Sequence, residues 1–476
     1  APRPPTPALG APVSCRPSFV RAAATIALAI VCAPLFALVE GELKEKDLTP
    51  DGSEKFVIAY AIESPKDYPP ADTSDPTKQL GLFLCFHGHG GKATHEAGNV
   101  VRIMKGLKLL DGYIVLGAKS QGDGWVEDAD VPPVTKLAHW AMKKYPINPR
   151  RVYTFGMSSG GNFSGVYGLA KPDIIAASVI YGSGVYKRGL TVKDPKMDLP
   201  DFYMVMGLDD DDAHKNGSRG TYRSWKEIGI NVIYREIDGL AHTSHHPPTN
   251  DETIQWAIRQ RHKTIPLSAA ETDLIKPIAK NAKKLGVDDA GADALALVGG
   301  LQAASVVKDL LDHKDAAVRV RAAKICERAL MGDAITALLA KKVKDKDADV
   351  RTAAFTSLNT GVNFRYQSAQ DTACFVLDQK KWEVSEKLLV VQGLATAIRF
   401  QIKGFYQDPP LLTALIKALD DEDESVRAAA FAALKPIQES EYAAAMDKSQ
   451  RRRAIVKWEE WLAKLLGKDG PKTAGN

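Results

Sequence analysis

Cysteine is scarce: five residues in 476, with Cys15 and Cys32 falling in the first forty. The other three, Cys85, Cys326 and Cys374, are odd in number and widely scattered, and no Cys-x-x-Cys pair occurs. That pattern excludes a disulfide framework and a thiolate metal site, and leaves the three as small core residues. An excess of one charge is also lacking. With 63 basic and 58 acidic residues the formal charge is only +5, and no basic run is interleaved with aromatics. Nucleic acid is therefore not an expected partner. Long apolar runs are absent but for residues 22–38, which follow Arg16 and Arg21 and contain the small residues Ala33 and Ala37. A cationic start before such a run reads as a secretory signal peptide, here behind an unstructured, proline-rich opening. The run is slightly shorter than the ~20 apolar residues a membrane anchor needs. The expectation is export (periplasmic or extracellular) after loss of residues 1–40, with no stable membrane insertion; retention as an anchor is the alternative.

What the chain does contain is enough for two or three domains with proper cores, at 45% hydrophobic and 25% charged residues. Between residues 41 and 264 short apolar runs alternate with helical stretches. Strands are expected at 56–62, 80–86, 113–116, 152–155, 174–180, 202–206 and 232–237, and a helix at 133–145. The near-continuous apolar character of 80–86 suits a strand buried on both faces. This alternation predicts a mostly parallel sheet with helices on both faces, and active residues at the carboxyl ends of its strands.

The central feature is the run 152–155 meeting Gly156-Met157-Ser158-Ser159-Gly160, then a helical pattern. A serine at the tip of so tight a turn projects its hydroxyl clear of the sheet, and side chains two residues either side would collide, hence Gly156 and Gly160. The helix beginning at Ser159 aims its first N–H groups at the reacting oxygen. Three other strand ends carry complementary groups. His87-Gly88-His89-Gly90-Gly91 lets backbone approach a developing oxyanion, with the N–H of His89 or Gly90 pairing with that of Ser159; the plainer reading is a turn with structural His87 and His89. Asp209, Asp210, Asp211 and Asp212 offer four candidates for a triad acid, the others being solvated or capping residues. Gly239-Leu240-Ala241-His242 supplies an imidazole that can swing back over the serine. His245 and His246 follow, but no carboxylate or cysteine sits at metal-site spacing, so neither metal nor cofactor is expected.

With these residues in place, residues 50–262 resemble the α/β-hydrolase superfamily. The phrase Tyr145-Pro146-Ile147-Asn148-Pro149-Arg150-Arg151-Val152-Tyr153 leading into the elbow, and the His87-Gly88 start, are similar to its secreted esterase branch. That branch includes poly(3-hydroxybutyrate) depolymerases and feruloyl and acetylxylan esterases, with dienelactone hydrolases more distant. The resemblance implies the order Ser158, Asp210, His242, the aspartate lying three residues after a strand-ending glycine. It also places Trp125 at a pocket wall, although a core position is equally consistent. The implied activity is hydrolysis of a small or polymeric carboxylic ester through an acyl-enzyme. A serine peptidase, or a scaffold on an inactive hydrolase fold, is the alternative.

After residue 264 alanine, leucine and lysine dominate and helical periodicity takes over. The segment Asp315-Ala316-Ala317-Val318-Arg319 recurs as Asp347-Ala348-Asp349-Val350-Arg351 and as Asp423-Glu424-Ser425-Val426-Arg427, and the wider second gap leaves room for a degenerate copy at 382–387. Asp caps a helix, Val faces the core and the following alanines permit close helix approach. These units resemble HEAT repeats. Residues 265–467 are expected to stack as an all-α solenoid, a surface for a protein or cell-surface partner or a cover for the first domain. Residues 468–476 read as a disordered tail.

Overall fold

The computed structural model describes residues 38–186, 199–285, 287–329, 332–398 and 409–465. The expected leader, apart from its last residues, and the expected tail lie outside these residues. Eight strands form one sheet: β1 (Val39–Lys44), β2 (Phe56–Glu63), β3 (Leu80–Phe86), β4 (Tyr113–Ala118), β5 (Ile147–Met157), β6 (Ala177–Tyr181), β7 (Asp201–Gly207) and β8 (Val232–Ile237). Their order is β1-β2-β4-β3-β5-β6-β7-β8. The first two are antiparallel and the rest run parallel from β4 to β8. β1 escaped the sequence reading and takes in Val39 and Glu40, which pair with Ile62 and Ala61. β6 starts later than expected, because Ile174 and Ile175 sit buried in the turn that ends the preceding helix.

Helices cover both faces, as expected from the alternation. On one face Phe83, Cys85, Tyr153, Phe155, Val179 and Val205 pack against α1 (Thr94–Gly106) and α5 (Pro247–Ala257). On the other, Leu82, Leu84, Ile114 and Val152 pack against α2 (Glu127–Lys144) and α3 (Ser159–Ala170), while Phe202, Met204 and Tyr234 meet Trp225 of α4 (Asp212–Glu227). Period-two alternation thus sends successive residues of each strand into two different cores, which is why those strands read as unbroken apolar runs. α2 begins at Glu127, ahead of the start expected at Pro133.

Eleven further helices are described, α6 (Ala269–Leu285), α7 (Asp289–Val298), α8 (Gly300–Leu311), α9 (Ala316–Ala329), α10 (Asp333–Lys342), α11 (Ala348–Asn363), α12 (Gln367–Leu377), α13 (Val384–Ile398), α14 (Pro409–Ala418), α15 (Glu424–Leu434) and α16 (Lys448–Leu465). They stack in two layers: α9, α11, α13 and α15 follow one another in one, and α8, α10, α12, α14 and α16 in the other. The repeated aspartates cap as their spacing implied. Asp315 accepts from the Ala317 N–H, Asp347 from Asp349 and Val350, and Asp423 from Ser425 and Val426. The degenerate copy at 382–387 opens α13. There Lys387 occupies the place of the repeated arginine.

The free thiols are core residues. Cys85 and Cys326 are buried and Cys374 is half-buried; burial pushes the Cys326 thiol up to about 12 and Cys374 to about 11.

Candidate active site

Ser158 stands between the last residue of β5 and the first turn of α3 with φ 57° and ψ −122°. A non-glycine residue in that region is strained and persists only where its surroundings fix it. They do: the Ser158 N–H donates to the Tyr181 carbonyl at 2.9 Å, and the Asn162 N–H closes the first helical turn onto the Ser158 carbonyl. The flanking glycines are sterically required. A Cβ on Gly156 would lie 2.0 Å from the Gly160 carbonyl oxygen, and one on Gly160 would lie 2.0 Å from that of Phe86.

The loops after β7 and β8 bring the other two groups to the serine. They are tied together by the Leu208 N–H on the Ile237 carbonyl and the Asp209 N–H on the Leu240 carbonyl, with room only because position 207 is glycine. His242 Nε2 lies 2.9 Å from Ser158 Oγ, and its Nδ1 lies 2.7 Å from Asp210 Oδ2. These partners set the tautomer: Nδ1–H donates to the carboxylate and Nε2 accepts from the serine hydroxyl. Among the four aspartates only Asp210 is buried, its side chain 1% exposed beside an imidazole 36% exposed. Asp211 caps α4 through the His214 N–H, and Asp209 and Asp212 face solvent. The remaining Asp210 oxygen takes the Asp211 N–H at 2.8 Å.

The loop after β3 lies against the elbow, with Gly88 packed on Ser158. Of its two candidate donors, Gly90 is not available, contrary to expectation. Its N–H donates to the Asp123 carbonyl at 2.7 Å and is spent on holding two loops together. No hydrogen bond among the described residues occupies the His89 N–H. Together with the Ser159 N–H, which lies in a first helical turn without an intrahelical acceptor, it is left for a ligand or water. His87 is the structural residue of the plainer reading. It is buried; its Nδ1–H donates to the Gly88 carbonyl at 2.6 Å and its Nε2 accepts from the Ser120 N–H at 3.2 Å. Burial lowers its pKa and keeps it neutral. Trp125 takes the core position: its ring is 7% exposed and stacks on Phe163 at 4.5 Å, while its Nε1–H donates to the His87 carbonyl. Its own backbone N–H donates to Ser159 Oγ at 3.1 Å, tying the loop to the start of α3.

Two contributors were not found from sequence. His214 stacks on His242 with ring centroids 4.4 Å apart and places Nδ1 3.4 Å from Asp210 Oδ1. The signal was its spacing, four residues after Asp210 across a helix start. Ser244 donates to the half-buried Glu96 of α1 at 2.9 Å, pinning the loop that carries His242; desolvation raises the Glu96 pKa. His245 and His246 do not converge on His242, since they bond Arg102 and Thr249. Asp210, His214 and His242 do present ligand atoms within 4.8 Å of one another. Both His242 nitrogens are already engaged by Asp210 and Ser158, so a metal there would have to break the relay.

No curated protein matches the chain. Residues 411–440 match the HEAT repeat model. Solved structures similar to the chain include a thermostable esterase at 19% identity and TM-score 0.38, over 48% of this chain and 64% of that one. Others are a ferulic acid esterase at 16% identity and TM-score 0.37, over 47% of this chain and 97% of that one, and an acetyl xylan esterase from Aspergillus awamori at 14% identity and TM-score 0.35, over 46% and 98%. The strand order, the serine elbow and the helices on both faces make the first part of the described chain an α/β-hydrolase fold, followed by an all-α, HEAT-like stack.

Proposed function

We propose that the protein is a serine hydrolase that cleaves carboxylic esters through an acyl-enzyme. The observation that carries this reading is the continuous hydrogen-bonded relay from Ser158 through His242 to the buried Asp210, at the carboxyl ends of the parallel strands. His242 takes the Ser158 proton as the hydroxyl attacks the ester carbonyl, and returns it to the departing alcohol. The N–H groups of Ser159 and His89 hold the tetrahedral oxyanion, and a water activated by the same imidazole releases the acid. Asp210 keeps the imidazole in the required tautomer. The substrates proposed are acyl or feruloyl esters on carbohydrate and hydroxyalkanoate polyesters. Export rests on the leader-like apolar run at 22–38, and N-terminal sequencing of the protein recovered outside the cytoplasm tests it. The helical stack is proposed to carry a partner-binding surface.

The deciding experiment is hydrolysis of acetyl, butyryl and feruloyl esters and a poly(3-hydroxybutyrate) film, with Ser158→Ala as blank. Turnover on one class is expected, with kcat in the variant lower by at least about 10⁴-fold. Failure on every ester, together with no labelling of Ser158 by a fluorophosphonate, would reject the reading. Labelling without ester turnover would redirect it to amides.

A further inference from the structure

A cavity of ≈ 550 Å³ opens at the end of the sheet away from Ser158, where the parallel strands begin. Its walls are the end of α1, the start of β4, the segment beyond α5, and α7. Three guanidiniums reach it: Arg151 from β5, and Arg259 and Arg261 just after α5. β5 has a register irregularity beside Arg151, between the residues pairing with Leu80 and Leu82. Bulges of this kind re-aim side chains. Arg150 points into the helical part, where it meets Glu271, and Arg151 lies 5.0 Å over the Tyr113 ring in the cavity wall.

The charge balance of this cavity is unusual. None of the three guanidiniums is ion-paired with a carboxylate among the described residues. Arg261 is spent on backbone carbonyls, those of Leu297, Ala296, Ile258 and Gln260. Arg151 donates to the Gln79 carbonyl and is met by the Tyr113 and Tyr153 hydroxyls, Arg259 donates to the Gln255 carbonyl, and the Nε of each is buried without a partner. Arg151 is 7% exposed. Asp293, an exposed residue, is the one carboxylate on the lining. Burial lowers the pKa of Arg259 and of Arg261, and the neighbouring Arg151 charge presses Arg261 in the same direction. Gathering cations away from water with unspent donors is costly unless an anion completes the site.

We propose that this cavity binds a small phosphorylated molecule, its phosphate held by Arg151 and Arg259 with the charge of Arg261 beside them, at a site separate from Ser158. The guanidiniums of Arg151, from a strand, and Arg259, from beyond a helix, approach from more than one direction. That suits the several oxygens of a tetrahedral dianion better than the single fork a carboxylate requires. The volume falls within the range of small-molecule sites, roughly 300–1,000 Å³, and exceeds what a bare phosphate fills. Leu107, Leu109 and Ile258 supply an apolar wall for the rest of the ligand.

The test uses the intact chain at constant ionic strength, titrated calorimetrically with phenyl phosphate, inorganic phosphate and benzoate, with thermal unfolding in parallel. Phenyl phosphate is expected to bind more tightly than either of the others and to raise Tm. Arg259→Gln should weaken it about tenfold or more, as expected for loss of one charge-assisted contact. Arg259→Lys, which keeps the charge and loses the fork, should fall between. Asp293→Asn, at the exposed rim, removes the carboxylate of the lining and should tighten binding severalfold at low salt. Absence of binding by either phosphate, affinity unchanged in both Arg259→Gln and Asp293→Asn, or benzoate binding as well as phenyl phosphate would each overturn the proposal. None of these outcomes depends on the esterase reading.

Discussion

At the scale of single residues, burial distinguishes groups that are chemically identical. Asp210 is enclosed behind His242, while Asp209, Asp211 and Asp212 remain in water. Asp210→Asn should therefore lower kcat by about 10⁴-fold with little change in Tm, because an amide supports the wrong imidazole tautomer. Asp209→Asn and Asp212→Asn should change kcat less than about twofold, and Asp211→Asn should keep its cap; steady-state kinetics on one ester compares all four. His87 yields a pH prediction. Its folded pKa is depressed by burial, so the unfolded chain takes up the proton first as pH falls below about 6.5. The stability present at neutral pH is lost from there down to the lowered folded pKa. His246 and His262 are lowered by burial as well and act in the same window. His87→Asn should thus reduce, without abolishing, the drop in Tm between pH 7 and 5.

At the scale of elements, the helical stack is held by a ladder of ion pairs as well as by its apolar stripes. Arg319 reaches Asp345 at 2.8 Å, Arg351 reaches Glu386 at 2.6 Å, and Lys387 reaches Asp421 at 2.7 Å. Each of the two arginines also donates to carbonyls of the loop before its own helix, fixing the turn while it binds the next unit. The degenerate repeat therefore keeps the ladder with a lysine. The Lys387 and Asp421 side chains are 6% and 9% exposed, so Lys387→Ala leaves a largely desolvated carboxylate without its cation and should cost about 3 kcal/mol by denaturant titration. Lys387→Arg restores the residue used on neighbouring rungs and should recover most of that loss. This rung was only partly legible in the sequence. The Asp-x-x-Val-Arg spacing identifies three copies, whereas the fourth lacks the aspartate and the arginine and is recognisable only by which carboxylate its lysine meets.

At the scale of the whole molecule, the two parts form one compact unit spanning Leu38–Asn476. Buried arginines join them. Arg235, at the middle of β8, bonds Glu252 at 2.7 Å and Tyr203 on its own side, and the carbonyls of Ala397 and Asn363 on the helical side. Glu252 and Tyr203 outweigh the effect of burial and hold the guanidinium charged. Arg150 repeats the arrangement with Glu271, Gln302 and the Val298 carbonyl. One hydrophobic core also runs from Phe155 and Trp256 into Leu310 and Leu358. The α/β part is thus built around contacts that the helices complete. A chain ending at residue 264 should aggregate or unfold more than about 10 °C below the intact protein, whose parts should melt in one calorimetric transition. Two well-separated transitions, with a soluble and active shortened chain, would contradict this.

The sequence by itself determined the elbow at Ser158, its glycines, the doubly covered sheet and the capped repeats. Each is a matter of local sterics or periodicity, carried by residues close in the chain. The choice of Asp210 over its neighbours, the capture of the Gly90 N–H by Asp123, the contact of His214 with the relay and the docking of the helices through Arg150 and Arg235 were decided only by the tertiary structure. In each case the deciding partner comes from a distant segment, and burial, which sets the strength of a charge or the availability of a donor, is a property of the packed whole.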